Sequence, residues 1–165
     1  MTGLRLDAVV LRGEDAELIR YPLDEIWLRA AGHGEIQVAD YRSEDREGGP
    51  AHLHPWDEAQ IVVDGVAEFR IGAGDWVRGG SGTVQLLPKG IPHSIRVPEG
   101  TARIIQVSVG APYDAFARDM ARLIADEAPL DEIVAVAKSH GVEVVDPNSQ
   151  EWLATWREPD TSGVR

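Results

Sequence analysis

Three histidines and one glutamate are the residues of this chain whose types and spacing best suit chemistry. His52 and His54 are one residue apart, and side chains two positions apart on a β-strand point to the same face of a sheet. Glu58 follows with the same parity, and His93 begins a later segment after a turn rich in proline and glycine. If neighbouring strands carry these segments, the imidazoles and the carboxylate can converge.

Such a set of side chains suits a divalent transition metal. Neutral imidazole and carboxylate are ligands for iron, nickel, manganese, cobalt, copper or zinc, and the chain has no cysteine that could supply thiolate ligands. Four protein ligands on an octahedral ion leave two positions open for water, substrate or dioxygen, as a catalytic site requires. A His-x-His pair alone is more typical of surface or capping positions than of metal ligands, so the residues around the pair must decide between these two interpretations.

The composition disfavours several classes of partner. The 165 residues include 16 Lys+Arg and 28 Asp+Glu, a formal net charge of −12, and no basic stripe offsets that charge. Nucleic acids and anionic membranes are therefore not expected partners. The N-terminal segment has no apolar run typical of a secretory signal, and no stretch approaches the roughly 20 apolar residues of a membrane span. We expect a cytoplasmic protein.

Residues 36–109 have the pattern of short strands separated by turns. Apolar and polar residues alternate in 36–41, and Asp64-Gly65 is a strong hairpin signal between two apolar runs. Many short strands at close spacing indicate an antiparallel sandwich or barrel. Residues 23–30 fit either a strand or a helix. The predicted strands are 36–41, 59–63, 66–71, 84–87, 93–97 and 102–109.

The pattern becomes helical after Pro112. One apolar stripe comprises Phe116, Met120, Leu123 and Ile124, and a second helix beginning at Pro129 has Leu130, Ile133, Val134 and Ala137 on one side, before His140-Gly141 ends it. Ser149 is a candidate cap for a third helix carrying Trp152 and Trp156. We expect one domain, with a barrel at about 35–110, an N-terminal extension at 1–34 and a helical tail at 112–159.

Two segments of the chain resemble the two conserved motifs of the cupin superfamily. In the first, three residues separate His54 from Glu58 and six separate Glu58 from Gly65. In the second, the spacing of Gly82, Pro88, Gly90 and His93 fits, and the sixteen residues 66–81 between the motifs are close to the short spacing of bacterial cupins. Two departures concern the glycine and asparagine positions of the motifs, which are occupied here by Arg46 and Val97.

The resemblance implies a mainly β fold, an antiparallel jelly-roll barrel with a metal inside it and two or three C-terminal helices packed on it. His52, His54, Glu58 and His93 then correspond to the metal ligands. The helical tail looks like that of single-domain bacterial cupins described as quercetin-dioxygenase-like. Cupins commonly form dimers through the barrel, so we also expect a homodimer.

Several other residues are candidates for the substrate pocket. Gln60 shares the parity of Glu58 and is expected inside the barrel, to orient substrate or to make a structural hydrogen bond. Trp56 fits either a wall of the cavity mouth or an exposed loop position. Either Gln106 and Ser108 or the alternating Val107 and Val109 face inward. Glu58 is a candidate either for the fourth metal ligand or, released from the metal, for the catalytic base.

The first functional hypothesis is an oxygenase acting on a small enolisable or aromatic hydroxy-carbonyl substrate. In this reading the substrate's hydroxyl and carbonyl oxygens occupy the two open metal positions. One alternative is a non-redox enzyme, such as an isomerase, decarboxylase or polyketide cyclase. Another is a barrel that binds a small ligand without catalysis, because a fold alone does not define a function.

Overall fold

The computed structural model describes residues 10–31, 35–110 and 112–145, which form two β-sheets and two α-helices. The strands are β1 (Glu17–Arg20), β2 (Asp24–Ala30), β3 (Ile36–Ser43), β4 (His52–Leu53), β5 (Asp57–Asp64), β6 (Val66–Ile71), β7 (Val77–Gly80), β8 (Val84–Leu87), β9 (His93–Arg96), β10 (Ala102–Val109) and β11 (Glu143–Val144). The helices are α1 (Tyr113–Ala125) and α2 (Leu130–Ser139), and a 3₁₀ turn at Gly13–Asp15 precedes β1.

The two sheets are antiparallel throughout the described residues. The six-stranded sheet has the order β1-β2-β3-β10-β5-β8, and the five-stranded sheet has the order β11-β4-β9-β6-β7. The predicted mainly β fold with C-terminal helices is therefore confirmed, with two helices described. The predicted third helix at Ser149, Trp152 and Trp156 lies outside the described residues, and the domain boundaries stay a prediction.

Strands β5 and β10 lie side by side in the six-stranded sheet, and every second side chain of each is buried. Val62 and Ile104 are on this buried face, where they pack with Phe69 and Val97 of the segments that form the five-stranded sheet. The barrel core thus lies between the two sheets. The tight turn after β5 requires glycine, because Gly65 has φ of 79° and a Cβ there would come within 2.3 Å of the Thr101 carbonyl oxygen.

The segment that fitted either a strand or a helix is strand β2. Ile26 and Leu28 are buried on one face, while Trp27 between them is only half-buried. This alternation lets β2 pair with β3 and cover one side of the core. Strand β1, which the sequence pattern did not predict, pairs with β2 and extends the sheet further.

Helix α1 closes the core on the side of the extended sheet. Tyr113, Ala117, Met120 and Leu123 are buried in one cluster that also contains Ile26 and Leu28. Helix α2 packs less deeply than its apolar pattern predicts, because only Ala137 is buried and Leu130 is 76% exposed. Neither helix is long and apolar enough to cross a membrane.

Candidate metal centre

Three histidines from neighbouring strands of the five-stranded sheet meet inside the barrel. His52 on β4 lies directly opposite His93 on β9, and His54 follows β4 by one residue. One nitrogen of each ring lies within 4.8 Å of a nitrogen of the other two. The ring centroids of His52 and His54 lie 4.5 and 4.8 Å from that of His93. The sequence prediction that these three imidazoles converge is therefore confirmed.

The backbone fixes the protonation pattern of the three rings. Each Nδ1 lies 2.9–3.0 Å from a backbone carbonyl oxygen, which can only accept a hydrogen bond. In the neutral ring Nδ1 must therefore carry the proton, and Nε2 presents a lone pair. The carbonyl partners are Pro50 for His52, Trp56 for His54 and Ile91 for His93. A histidine that binds a metal is commonly oriented in this way.

The Nε2 atoms of His54 and His93 are buried and have no hydrogen-bond partner among the described residues. Burial, together with the smaller effect of the nearby His52, lowers the pKa of His93 to about 4. Burial also lowers the pKa of His52. At neutral pH these two rings are therefore uncharged, which is the state that a metal ligand requires.

Glu58 reaches the same centre from the six-stranded sheet. Its carboxylate is buried, and its Oε2 lies 3.4 Å from His54 Nε2. In the neutral tautomer with the proton on Nδ1, the Nε2 lone pair of His54 faces this carboxylate oxygen. This arrangement is expected of two ligands of one cation. Glu58 approaches the cluster at His54, but it does not lie within 4.8 Å of all three histidine nitrogens.

Neighbouring donors hold the Glu58 carboxylate. Gln60 Nε2 donates a hydrogen bond of 2.7 Å to Oε1, and the Trp56 indole N–H donates a longer one of 3.4 Å to Oε2. Burial alone would raise the pKa of Glu58, but the imidazoles of His54 and His93 and the Trp56 indole lower it below its usual value. The carboxylate is therefore ionised at neutral pH.

These observations show that the residues fit a divalent transition metal. Two buried imidazole nitrogens lack hydrogen-bond partners among the described residues, and a third imidazole nitrogen lies beside them. The nearby carboxylate is ionised, and among the described residues its hydrogen-bond donors are an amide and an indole rather than lysine or arginine. Nitrogen and oxygen donors of this kind suit iron, nickel, manganese, cobalt, copper or zinc.

Trp56 lies behind the histidines in the hydrophobic core. It is 3% exposed, so the alternative of an exposed loop position is wrong. Its ring stacks on that of His54, with ring centroids 4.3 Å apart and an interplanar angle of 3°. The rings of Tyr113 and Phe116 also lie near the Trp56 ring. Trp56 thus positions His54 and Glu58, and the stack explains why an aromatic residue is useful here.

The other pocket candidates face the barrel interior. Gln60 and Gln106 are both buried, and they lie directly opposite each other on β5 and β10. Gln106 Nε2 donates a hydrogen bond of 3.0 Å to Ser108 Oγ. Of the two alternatives for β10, it is therefore Gln106 and Ser108 that point inward. Gln85 on β8 faces the same interior, and sequence reasoning missed it because strand order, which sets its neighbours, is not visible in the sequence.

The two departures from the motifs have structural explanations. Near Arg46 the tight backbone position is taken by Gly48, which has φ of 76° and where a Cβ would come within 2.4 Å of the Ile95 carbonyl oxygen. Arg46 itself donates hydrogen bonds to the carbonyl oxygens of Val97 and Gly100. Val97 is buried in the barrel core. Neither change touches the histidine cluster.

Asp57 and His140 are polar residues near the predicted site segments that do not belong to this centre. The Asp57 carboxylate is exposed and accepts a hydrogen bond from the Lys89 backbone N–H, so it does not replace Glu58. His140 follows α2 and contacts Asp119 at 2.8 Å. His33 lies outside the described residues.

Residues 39–108 match the family model described as "Cupin domain". No curated protein sequence matches the chain. Among solved structures, KdgF from Halomonas sp. is similar, with a TM-score of 0.57 and 16% identity over 65% of this chain and 99% of that one. The polyketide cyclase RemF from Streptomyces resistomycificus has a TM-score of 0.53 and 17% identity, over 62% of this chain and 80% of that one.

A third similar structure is hydroxypropylphosphonic acid epoxidase from S. wedmorenis, with a TM-score of 0.54 and 12% identity over 61% of this chain and 58% of that one. At these identities the likeness defines the fold and not the reaction. Residues 39–108 thus match the cupin domain model, the fold resembles those of the solved structures above, and the same segment carries the histidine cluster as a candidate metal site.

Proposed function

We propose that this chain is a metal-dependent enzyme of the quercetin-dioxygenase-like cupin type. His52, His54 and His93 bind a divalent transition metal, and Glu58 is its fourth ligand. One observation carries the proposal: three imidazoles lie together beside one buried carboxylate, and a backbone carbonyl holds each imidazole at its Nδ1 atom. Iron, nickel, manganese, cobalt, copper and zinc all fit this donor set.

A bound metal would supply Lewis-acid activation of chelated oxygens and, if redox-active, reaction with dioxygen. The chain's own residues supply binding and proton transfer. Glu58, ionised and held by Gln60, is placed to accept a proton at a carboxylate oxygen from a substrate hydroxyl or from a carbon next to a carbonyl. Trp56 excludes water from the face of His54 on which it stacks.

The substrate that suits this site has a hydroxyl group next to a carbonyl. Two adjacent oxygens of this kind would chelate a bound ion, and loss of a proton to Glu58 would leave the substrate as an electron-rich enolate. An oxygenase uses such an enolate with dioxygen, whereas an isomerase, decarboxylase or cyclase uses it without an oxidant. We favour an enzyme over a barrel that only binds a ligand, because the buried Glu58 carboxylate lies beside the cluster, where it can act as a base.

We also propose that the protein is a homodimer that associates through the outer face of the six-stranded sheet. Exposed apolar side chains on four strands of this face support the proposal: Ile36, Val63, Val84, Leu86 and Val109. Apolar patches of this kind mark association surfaces. The measured mass in solution tests it, since Leu86→Glu should give a monomer and the wild-type chain a dimer.

Oxygen uptake tests the oxygenase assignment. Protein prepared separately with each of the six metals is mixed with a panel of small hydroxy-carbonyl compounds in an oxygen-electrode cell. An oxygenase consumes oxygen with at least one redox-active metal, and Glu58→Gln lowers the rate by about a hundredfold or more. Product formation without oxygen uptake, including with zinc, would instead assign the non-redox alternative.

A further inference from the structure

Three buried glutamines form a row across neighbouring strands of the six-stranded sheet. Gln60 on β5 lies directly opposite Gln85 on β8 and directly opposite Gln106 on β10. Directly paired residues of antiparallel strands share one face of the sheet, with Cβ atoms about 4.5–5.5 Å apart. All three side chains are buried, so the row lies on the inner face.

The hydrogen bonding of this row is incomplete among the described residues. Gln60 donates through Nε2 to Glu58, but its Oε1 has no partner. Neither the nitrogen nor the oxygen of the Gln85 amide has one. Gln106 is paired with Ser108. Buried amides without partners destabilise a fold, and an apolar side chain of similar size would avoid that cost.

The row begins at the candidate metal centre. Gln60 follows Glu58 by two residues on the same face of β5, a spacing of about 6.5–7 Å along a strand. Gln85 and Gln106 continue the row on either side of it. If the centre binds one end of a ligand, the part of that ligand that extends along the sheet would therefore contact these amides.

The charge of the interior limits what that part can be. The buried polar side chains of the described residues include no lysine or arginine, so a second anionic group on the ligand would find no cation there. Amides offer both donors and acceptors, which match hydroxyl and carbonyl groups. A carboxylate or phosphate in this place would lose its hydration without a compensating charge.

We propose that Gln60, Gln85 and Gln106 form a subsite for hydroxyl or carbonyl groups of an uncharged substrate, with Gln85 as the specificity-determining residue. The inference rests on the proposed function, since the metal centre holds the other end of the ligand. It narrows the substrate class to neutral hydroxy-carbonyl compounds that carry a further hydroxyl or carbonyl group.

Three pyranones provide a matched set of probes. Kojic acid, allomaltol and comenic acid share one hydroxy-carbonyl chelating group and differ in one substituent, which is hydroxymethyl, methyl or carboxylate. Titration calorimetry on zinc-loaded protein compares their affinities without redox chemistry. We expect kojic acid to bind about tenfold more tightly than allomaltol, and comenic acid to bind most weakly.

Two leucine variants separate a binding role from a structural one. Gln85→Leu should retain zinc, raise the thermal midpoint and abolish the preference for kojic acid. Gln37→Leu is the control, because Gln37 is equally buried but both ends of its amide are paired with Asp114 on α1. That variant should lower the midpoint and keep the preference.

Two results would overturn the subsite. One is equal affinity of the zinc-loaded wild-type protein for kojic acid and allomaltol. The other is a fall in the midpoint of Gln85→Leu as large as that of Gln37→Leu. Failure of the proposed function is distinguishable, because the wild-type protein would then retain no zinc and bind none of the three pyranones, and both proposals would be overturned together.

Discussion

Two buried carboxylates of the same sheet have opposite surroundings. Asp40 lies on the outer face of β3 and accepts hydrogen bonds of 2.8–3.2 Å from Arg29 and Arg103. Glu58 lies on the inner face of β5, where its neighbours are histidines, an amide and an indole. Both are ionised, yet only Asp40 is neutralised by cations of the chain.

From this difference we propose that Asp40 is structural and that Glu58 is a metal ligand. A buried charge is stable when it is paired, and Asp40 has two guanidinium groups that satisfy it. Glu58 has its charge stabilised by groups that leave room for a cation, together with nitrogen lone pairs directed at the same region. In the proposed function, a bound metal cation would supply the positive charge that Glu58 lacks.

The largest expected effect is on stability. In metal-free protein, Asp40→Asn should lower the free energy of unfolding by about 2 kcal/mol, because it removes the charge that holds two arginines. Glu58→Gln should lower it by less, about 1 kcal/mol or below, because a glutamine oxygen can still accept the hydrogen bond from Gln60 and no arginine is left unpaired. Urea unfolding of the two variants measures both values. Equal losses would contradict the comparison.

Metal affinity should show the reverse order. Glu58→Gln is expected to weaken zinc binding by about tenfold or more, because the fourth ligand loses its charge. Asp40→Asn should leave zinc affinity unchanged, since Asp40 is on the other face of the sheet. Competition with a fluorescent chelator measures both constants. An effect of Asp40→Asn as large as that of Glu58→Gln would show that the carboxylates are not functionally distinct.

Acid should reveal the pairing of Asp40. Burial alone would raise the pKa of Asp40, but hydrogen bonds and charges of Arg103 and Arg29 lower it below its usual value. A lowered folded-state pKa gives stability that is fully present well above the unfolded-state value of about 3.9 and is lost as pH falls toward the folded-state value. The stability difference between wild type and Asp40→Asn, measured by urea unfolding from pH 7 to 3, should therefore shrink over that window. A constant difference would contradict it.

The smallest expected effect concerns Trp56. Trp56→Phe keeps an aromatic ring against His54 but removes the indole N–H that reaches Glu58 at 3.4 Å. Because that hydrogen bond is long, zinc affinity should fall by only about threefold. Trp56→Leu also removes the stack and should have the larger effect. If both variants bind zinc like the wild type, Trp56 does not position the site.

Much of this site was predictable because its signals are local. Parity predicted that His52, His54 and Glu58 converge, although Glu58 lies on the other sheet, and the resemblance to the cupin motifs supported His93. The alternation in 36–41 and the apolar runs on either side of Asp64-Gly65 likewise predicted strands at the positions of β3, β5 and β6. The hydrogen bonds from each Nδ1 to a carbonyl two residues away depend on backbone conformation, which residue types alone do not specify.

What the sequence did not predict depends on long-range pairing. Gln85 lies 25 residues after Gln60 in the sequence, and only the register of β5 with β8 brings the two side chains together. Strand β1 is short, and its pairing with β2 becomes evident only once β2 is known to be a strand. For Trp56 the sequence left two positions open, because the burial of an aromatic residue in a loop depends on the helix that packs over it.

The central claim is that three histidines bind a metal, and elemental analysis of untagged protein tests it most directly. The wild-type chain and His140→Ala, which removes a histidine outside the cluster, should each contain about one transition metal per chain after reconstitution. The His52→Ala/His93→Ala variant should contain less than about a tenth of that. Wild-type protein that retains no metal with any of the six ions, or a double variant that retains as much as wild type, would contradict the account.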